Sequence, residues 1–156
     1  MLPITKILCP TDFSEPSYKA LETANELARH FNAEIILIHI LSPVFVYPAT
    51  ALTPGITKIA EISDVDRDEM AYKSLSMTLK EKVSDSIKSR SIMGKGNPSE
   101  EIVRSAKEEK VDLIVIGTHG FTGWRHLLLG SVAEKVVRLA SCPVITIPAH
   151  RTPVTM

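Results

Sequence analysis

Val111-Asp112-Leu113-Ile114-Val115-Ile116-Gly117-Thr118-His119-Gly120-Phe121-Thr122-Gly123-Trp124-Arg125-His126-Leu127-Leu128-Leu129-Gly130-Ser131-Val132-Ala133-Glu134 is the stretch on which the fold turns. Its first seven residues form a short apolar run, rich in Ile and Val, that ends on glycine. Such near-continuous runs belong to strands covered on both faces, as in a parallel sheet, rather than to half-exposed strands that alternate. Ile4 to Cys9, Glu34 to Leu41 and Pro143 to Pro148 read the same way. Ile87 to Gly94 is weaker, with Ile87, Ile92 and Met93 among polar residues, and suits an edge strand.

Helical patterns separate these strands. Ser14 to Phe31 has Ser14 as a candidate N-cap and Pro16 in the first turn, with Ala20, Leu21, Ala24, Leu27, Ala28 and Phe31 on one face. Roughly Ile62 to Ser84 places Ile62, Val65, Tyr72, Leu75, Leu79 and Val83 at helical spacing. The third helix opens on Asn97-Pro98-Ser99-Glu100, a cap followed by a first-turn proline and a capping-box Glu, and should bury Ile102, Val103 and Ala106. The fourth opens on Ser131-Val132-Ala133-Glu134, again read as a capping box, and should bury Val132, Ala133, Val136, Val137 and Ala140. The order β-α-β-α-β-α-β-α-β predicts an α/β fold with an open five-stranded parallel sheet, right-handed crossovers and helices on both faces. Ligands in such sheets bind beyond the carboxyl ends of the strands, where the strand order reverses.

Two connections are long for this architecture. Ser42 to about Ala60 combines Pro43, Pro48 and Pro54 with Val44, Phe45, Val46, Tyr47 and Leu52; it could act as a lid, pack against a partner subunit or cover a sheet edge. The second is Thr118 to Gly130, thirteen residues carrying Gly120 and Gly130 and preceded by Gly117. Glycine removes the Cβ that would keep a ligand from the backbone, and a helix start offers unpaired N–H groups and a positive dipole end to an anion. The alternative is that these glycines only turn the chain and Ser131 only caps the helix. At the end of the first strand, Pro10-Thr11-Asp12 places a carboxylate where it could meet a base, a ribose or a metal, or simply form an Asx-turn.

Composition excludes other classes. The 156 residues carry 18 Lys plus Arg against 18 Asp plus Glu, a formal net charge of zero that argues against a nucleic-acid or anionic-membrane partner. No apolar run reaches the ~20 residues of a transmembrane helix, and no signal peptide is read at the N-terminus, so a cytoplasmic location is expected. Cys9 and Cys142 lack metal or redox spacing and read as core thiols. GxxxxGK[ST] is absent, and Gly94-Lys95-Gly96 lacks the third glycine of GxGxxG.

Gly117-x2-Gly120-x9-Gly130-Ser131 resembles the G-x2-G-x9-G-[S/T] signature of the ATP-binding branch of the universal stress proteins. Ile7 to Ser14, His39-Ile40, Gly96-Asn97-Pro98 and Cys142-Pro143-Val144 are similar to that family as well, so the resemblance spans nearly the whole chain. It implies strand order 3-2-1-4-5 in an adenine nucleotide alpha hydrolase-like fold, one domain over 1–150 and a short tail at 151–156. It implies a homodimer formed through the last strand, one ATP per subunit with Mg²⁺, and an unidentified protein partner in a stress response. By position, Asp12 and the backbone of Ile40 would hold adenine, with Pro10 and Thr11 beside them. Ile116, Gly117 and Gly96 would line the ribose side, and His119, Gly120, Gly130, Ser131 and Val132 would hold the phosphates. Phe121 stands where many members carry a basic residue. The expected function is a nucleotide-dependent regulatory module, with slow ATP hydrolysis as the alternative and no catalytic residue assigned.

Overall fold

The computed structural model describes residues 3–42, 64–118 and 129–148. Their order is β1 (Lys6–Pro10), α1 (Glu15–Phe31), β2 (Glu34–Leu41), α2 (Asp64–Lys82), β3 (Ser89–Lys95), α3 (Pro98–Glu108), β4 (Leu113–Gly117), α4 (Ser131–Leu139) and β5 (Val144–Ile147). All pairings are parallel, and the strand order is β3-β2-β1-β4-β5, as the resemblance implies. β3, read as an edge strand, is one.

Handedness assigns the faces. The steps β1 to β2 to β3 run one way across the sheet, whereas β3 to β4 to β5 run the other way. Right-handed crossovers therefore put α1 and α2 on one face and α3 and α4 on the opposite one. Two cores result. Ile7, Cys9, Ile35, Leu37, Leu113 and Val115 point to the α1–α2 side, and Leu8, Ile36, Ile38, Ile40, Ile114 and Ile116 to the α3–α4 side. This two-sided burial is why the strands read as unbroken apolar runs. Cys9 lies wholly inside, where burial pushes its thiol up to about 12, and Cys142 is half-buried; both are free.

Three helix expectations change. α2 buries Ala71, Leu75 and Thr78, and Val83 is buried just after it, while Val65 and Tyr72 are exposed. Tyr72 follows Ala71 by one residue and so is turned about 100° from the buried stripe, and Val65 shares its side. α4 buries Ala133 and Val136 but leaves Val137 46% exposed, because this short helix presents one narrow column to the sheet. Finally, Gly130 is the N-cap of α4 and Ser131 its first residue, so the expected Ser131 capping box does not form.

At the amino ends of the strands, Asp112 Oδ2 accepts from Thr5 N (2.7 Å), Thr5 Oγ1 (2.8 Å) and Lys6 N (3.0 Å), tying the lead-in of β4 to that of β1. The Thr5 N–H is the main reason its carboxyl lies below the usual carboxylate range. A depressed folded value stabilises the protein above the unfolded value, about pH 4, and that contribution is lost as pH falls through the folded value. Asp112→Ala should therefore cost about 1–2 kcal/mol at pH 7, measured by urea unfolding. The gap to the parent chain should shrink in acid, and a gap independent of pH would refute the carboxylate's role.

Candidate functional site

The site begins where β1 and β4 part. β1 pairs with β2 as far as Pro10–Ile38, and β4 pairs with β5 as far as Gly117–Ile147. Between β1 and β4 the register covers only Ile7–Leu113 and Leu8–Ile114. Beyond the strands, Thr11 N donates to Ile38 O on β2 (2.8 Å), and Thr118 N donates to Ile147 O on β5 (2.8 Å). The two chains lean in opposite directions. Because successive peptide groups alternate, the residue before Thr11 faces β4, and there Pro10 has no N–H to give. The ladder stops, and a crevice opens at the carboxyl edge of the sheet.

A cavity of about 570 Å³ fills this crevice, a size typical of small-ligand sites. Of the residues named from sequence, Pro10, Thr11, Asp12, Ile40, Ile116, Gly117, Gly130, Ser131 and Val132 line it. His119 and Gly120 lie outside the described residues. Gly96 is not in the lining: it follows β3 with φ +135, its N–H bonds Leu41 O (3.0 Å), and the Glu101 side chain lies against it. Pro98, two residues on, and Ile102 from α3 form the wall there instead.

The β1 side is rigidly held. Asp12 Oδ1 accepts from Ser14 N (3.1 Å) and from Ser14 Oγ, so the Asx-turn considered from sequence does form. Thr11 Oγ1 accepts from Phe13 N (3.0 Å) and meets Ser17 Oγ at 3.0 Å. Phe13 sits in the left-handed region at φ 65, uncommon for a bulky residue, and its ring packs on His39 at 4.5 Å. His39 Nδ1 lies 2.8 Å from Thr11 O. A carbonyl only accepts, so Nδ1 carries the proton. Asp12 is thus half-buried in a fixed orientation within the cavity wall.

The β4 side supplies the electropositive end. Gly130 N donates to Thr118 O at 2.6 Å, closing the base of the loop between them. Glu134 N is the first amide of α4 to reach a helical carbonyl, that of Gly130 (2.9 Å), and among the described residues no side chain caps the helix. Among the described residues, the N–H groups of Ser131, Val132 and Ala133 therefore have neither a helical partner nor a capping side chain. By contrast, α1 is capped by Ser14, and α3 by Asn97, which takes the N–H groups of Ser99 and Glu100. Of the three helix starts described in full near this edge, α4 is the one prepared for an anion.

Glycine is used differently at the two ends of the loop. Gly130 has φ −69 and ψ 159, angles open to any residue, so its missing side chain matters for what approaches it. At Gly117 a Cβ would lie 2.9 Å from Pro16 O and 3.1 Å from Pro16 C. The close approach expected at Gly117 is thus to the first turn of α1. Sequence reasoning also passed over Arg67 and Ser17, which line the cavity; no motif marks either. Among the described residues no cluster of three His, Cys, Asp or Glu could bind a metal; the Ser131 hydroxyl in the cavity wall is an oxygen donor of the kind Mg²⁺ takes beside waters and ligand oxygens.

Fold and site together define an open parallel α/β protein with an anion-accepting crevice at its switch point. The profile of the universal stress protein family matches residues 3–148, and the chain belongs to that family. It is 35% identical over 146 residues to universal stress protein YxiE of Bacillus subtilis, covering 91% of this chain and 97% of that one. The solved structure of MJ0577 superposes with a TM-score of 0.74 at 30% identity, covering 96% of this chain and 99% of that one. A universal stress protein solved in complex with cAMP shares the fold at 22% identity and TM-score 0.64, with 94% and 98% covered.

Gly117→Ala should destabilise by about 2 kcal/mol, since the Pro16 carbonyl must be pushed aside. The melting temperature should fall by roughly 4–8 °C. An unchanged or raised melting temperature would show that the contact with α1 is not what requires glycine there.

Proposed function

We propose that this chain binds ATP in the switch-point crevice and acts as a nucleotide-dependent regulatory module. The supporting observation is that one cavity joins an apolar end, at Ile38, Ile40 and Ile102, to the uncapped start of α4. An aromatic base suits the first and a phosphate chain the second. Asp12 and the Ile40 backbone hold the base, and the amides of Ser131 and Val132 hold phosphate oxygens. Mg²⁺, when bound, neutralises part of the phosphate charge beside Ser131. Binding is favoured over hydrolysis because Asp12, the carboxylate of the described wall, has Oδ1 committed to Ser14 and lies at the base end rather than beside the phosphates.

Residues 1–150 make up one nucleotide-binding domain, with 151–156 as its tail. The regulatory form is a cytoplasmic homodimer through β5: Ile145 on that edge strand is exposed, as are Val137 and Leu139 on the preceding helix α4. Among the described residues no helix is long and apolar enough to cross a membrane. A protein partner would read the nucleotide state.

Calorimetric titration with MgATP should give saturable heat, and Trp124, the single tryptophan, should change its emission. Gly130→Val should abolish both with its circular dichroism unchanged, because the backbone angles there accept any residue. The parent chain should sediment as a dimer and Ile145→Glu as a monomer. A silent parent titration, or normal binding by Gly130→Val, would overturn the nucleotide reading; a monomeric parent would overturn the dimer.

A further inference from the structure

Arg67 sits at the other end of the crevice from α4. It is the single Lys or Arg among the described residues of the cavity wall, and it belongs to a helix that no nucleotide motif touches. The first turn of α2 is fastened across the carboxyl ends of two strands. Arg67 Nη2 donates to Ser42 O, just beyond β2, at 3.4 Å, and Asp68 is ion-paired with Lys95 at the end of β3. The bond to Ser42 ties the guanidinium to the end of β2.

Its place at the β2 end of the crevice points to the base rather than the phosphates as its target. In the order β2-β1-β4, the β2 end lies two strand spacings, about 10 Å, from Gly117 and the start of α4. The wall around it is that of the apolar end, with Leu41 and Ile40 on the same strand. A planar cation beside an aromatic base can act through its face, leaving its N–H groups in the plane for bonds such as that to Ser42. Ammonium has no such face.

We propose that Arg67 is a specificity residue that stacks its guanidinium on the base of the bound nucleotide, closing the apolar end of the crevice. This rests on the nucleotide reading above, and adds which side chain makes the site respond to an aromatic base rather than to any polyphosphate.

The test is calorimetry with three probes, ATP, adenosine and inorganic triphosphate, on the parent chain and on Arg67→Ala, Arg67→Lys and Lys95→Met. Arg67→Ala should weaken ATP and adenosine by the same factor, about tenfold, and leave triphosphate unchanged. Arg67→Lys should restore little of the loss. Lys95→Met, which breaks the neighbouring tether of α2, should bind all three like the parent. Unchanged ATP affinity in Arg67→Ala would overturn the proposal while leaving nucleotide binding intact. Loss of triphosphate affinity, or full rescue by lysine, would reassign Arg67 to simple charge attraction. The same losses in Lys95→Met would reduce it to a helix anchor. A parent chain that binds neither ATP nor adenosine would remove this proposal together with the reading beneath it.

Discussion

Two backbone amides set the geometry on which everything else depends. Thr11 N turns from β1 toward Ile38, and Thr118 N turns from β4 toward Ile147. Once those bonds form in opposite directions, β1 and β4 cannot continue their ladder, and Pro10 removes the donor that would have extended it. The divergence follows from topology, since β1 must cross over to β2 and β4 to β5 on opposite faces of the sheet. The crevice is therefore a consequence of strand order, and side chains only furnish it.

That furnishing is asymmetric. On the β1 side the polar groups are spent on one another: Asp12 on Ser14, Thr11 on Phe13 and Ser17, and His39 on the Thr11 carbonyl. This fixes the wall and holds Phe13 in a left-handed conformation that an unbraced loop would relax. On the β4 side the amides at the start of α4 are left for a ligand. One wall is finished and the other is completed by what binds. Such a division is that of a preorganised pocket with one electropositive end.

Much of this was legible in the sequence. The apolar runs at Glu34–Leu41 and Val111–Gly117 identify strands buried on both faces, and Asn97-Pro98 marks the start of α3 to the residue. The glycine spacing located the crevice end of α4. What the sequence could not separate was local from tertiary cause. Ser131 followed by Glu134 reads as a capping box, yet the chain enters the helix one residue earlier because Gly130 is tied to Thr118. Gly117 reads as a ligand glycine, yet the Pro16 carbonyl, a hundred residues away in sequence, demands it. Arg67 lies in the charged run Asp64 to Glu69, where nothing local distinguishes it from a solvated side chain. Only the placement of α2 over the end of β2 brings it to the cavity.

In the proposed complex the amides at the start of α4 receive the phosphates. Amide ¹H–¹⁵N spectra recorded through a MgATP titration test it most directly. Ser131, Val132 and Ala133 should shift most, while Ser99 and Glu100, whose amides Asn97 already holds, should stay still. Saturating MgATP that leaves the three α4 amides unmoved would contradict it.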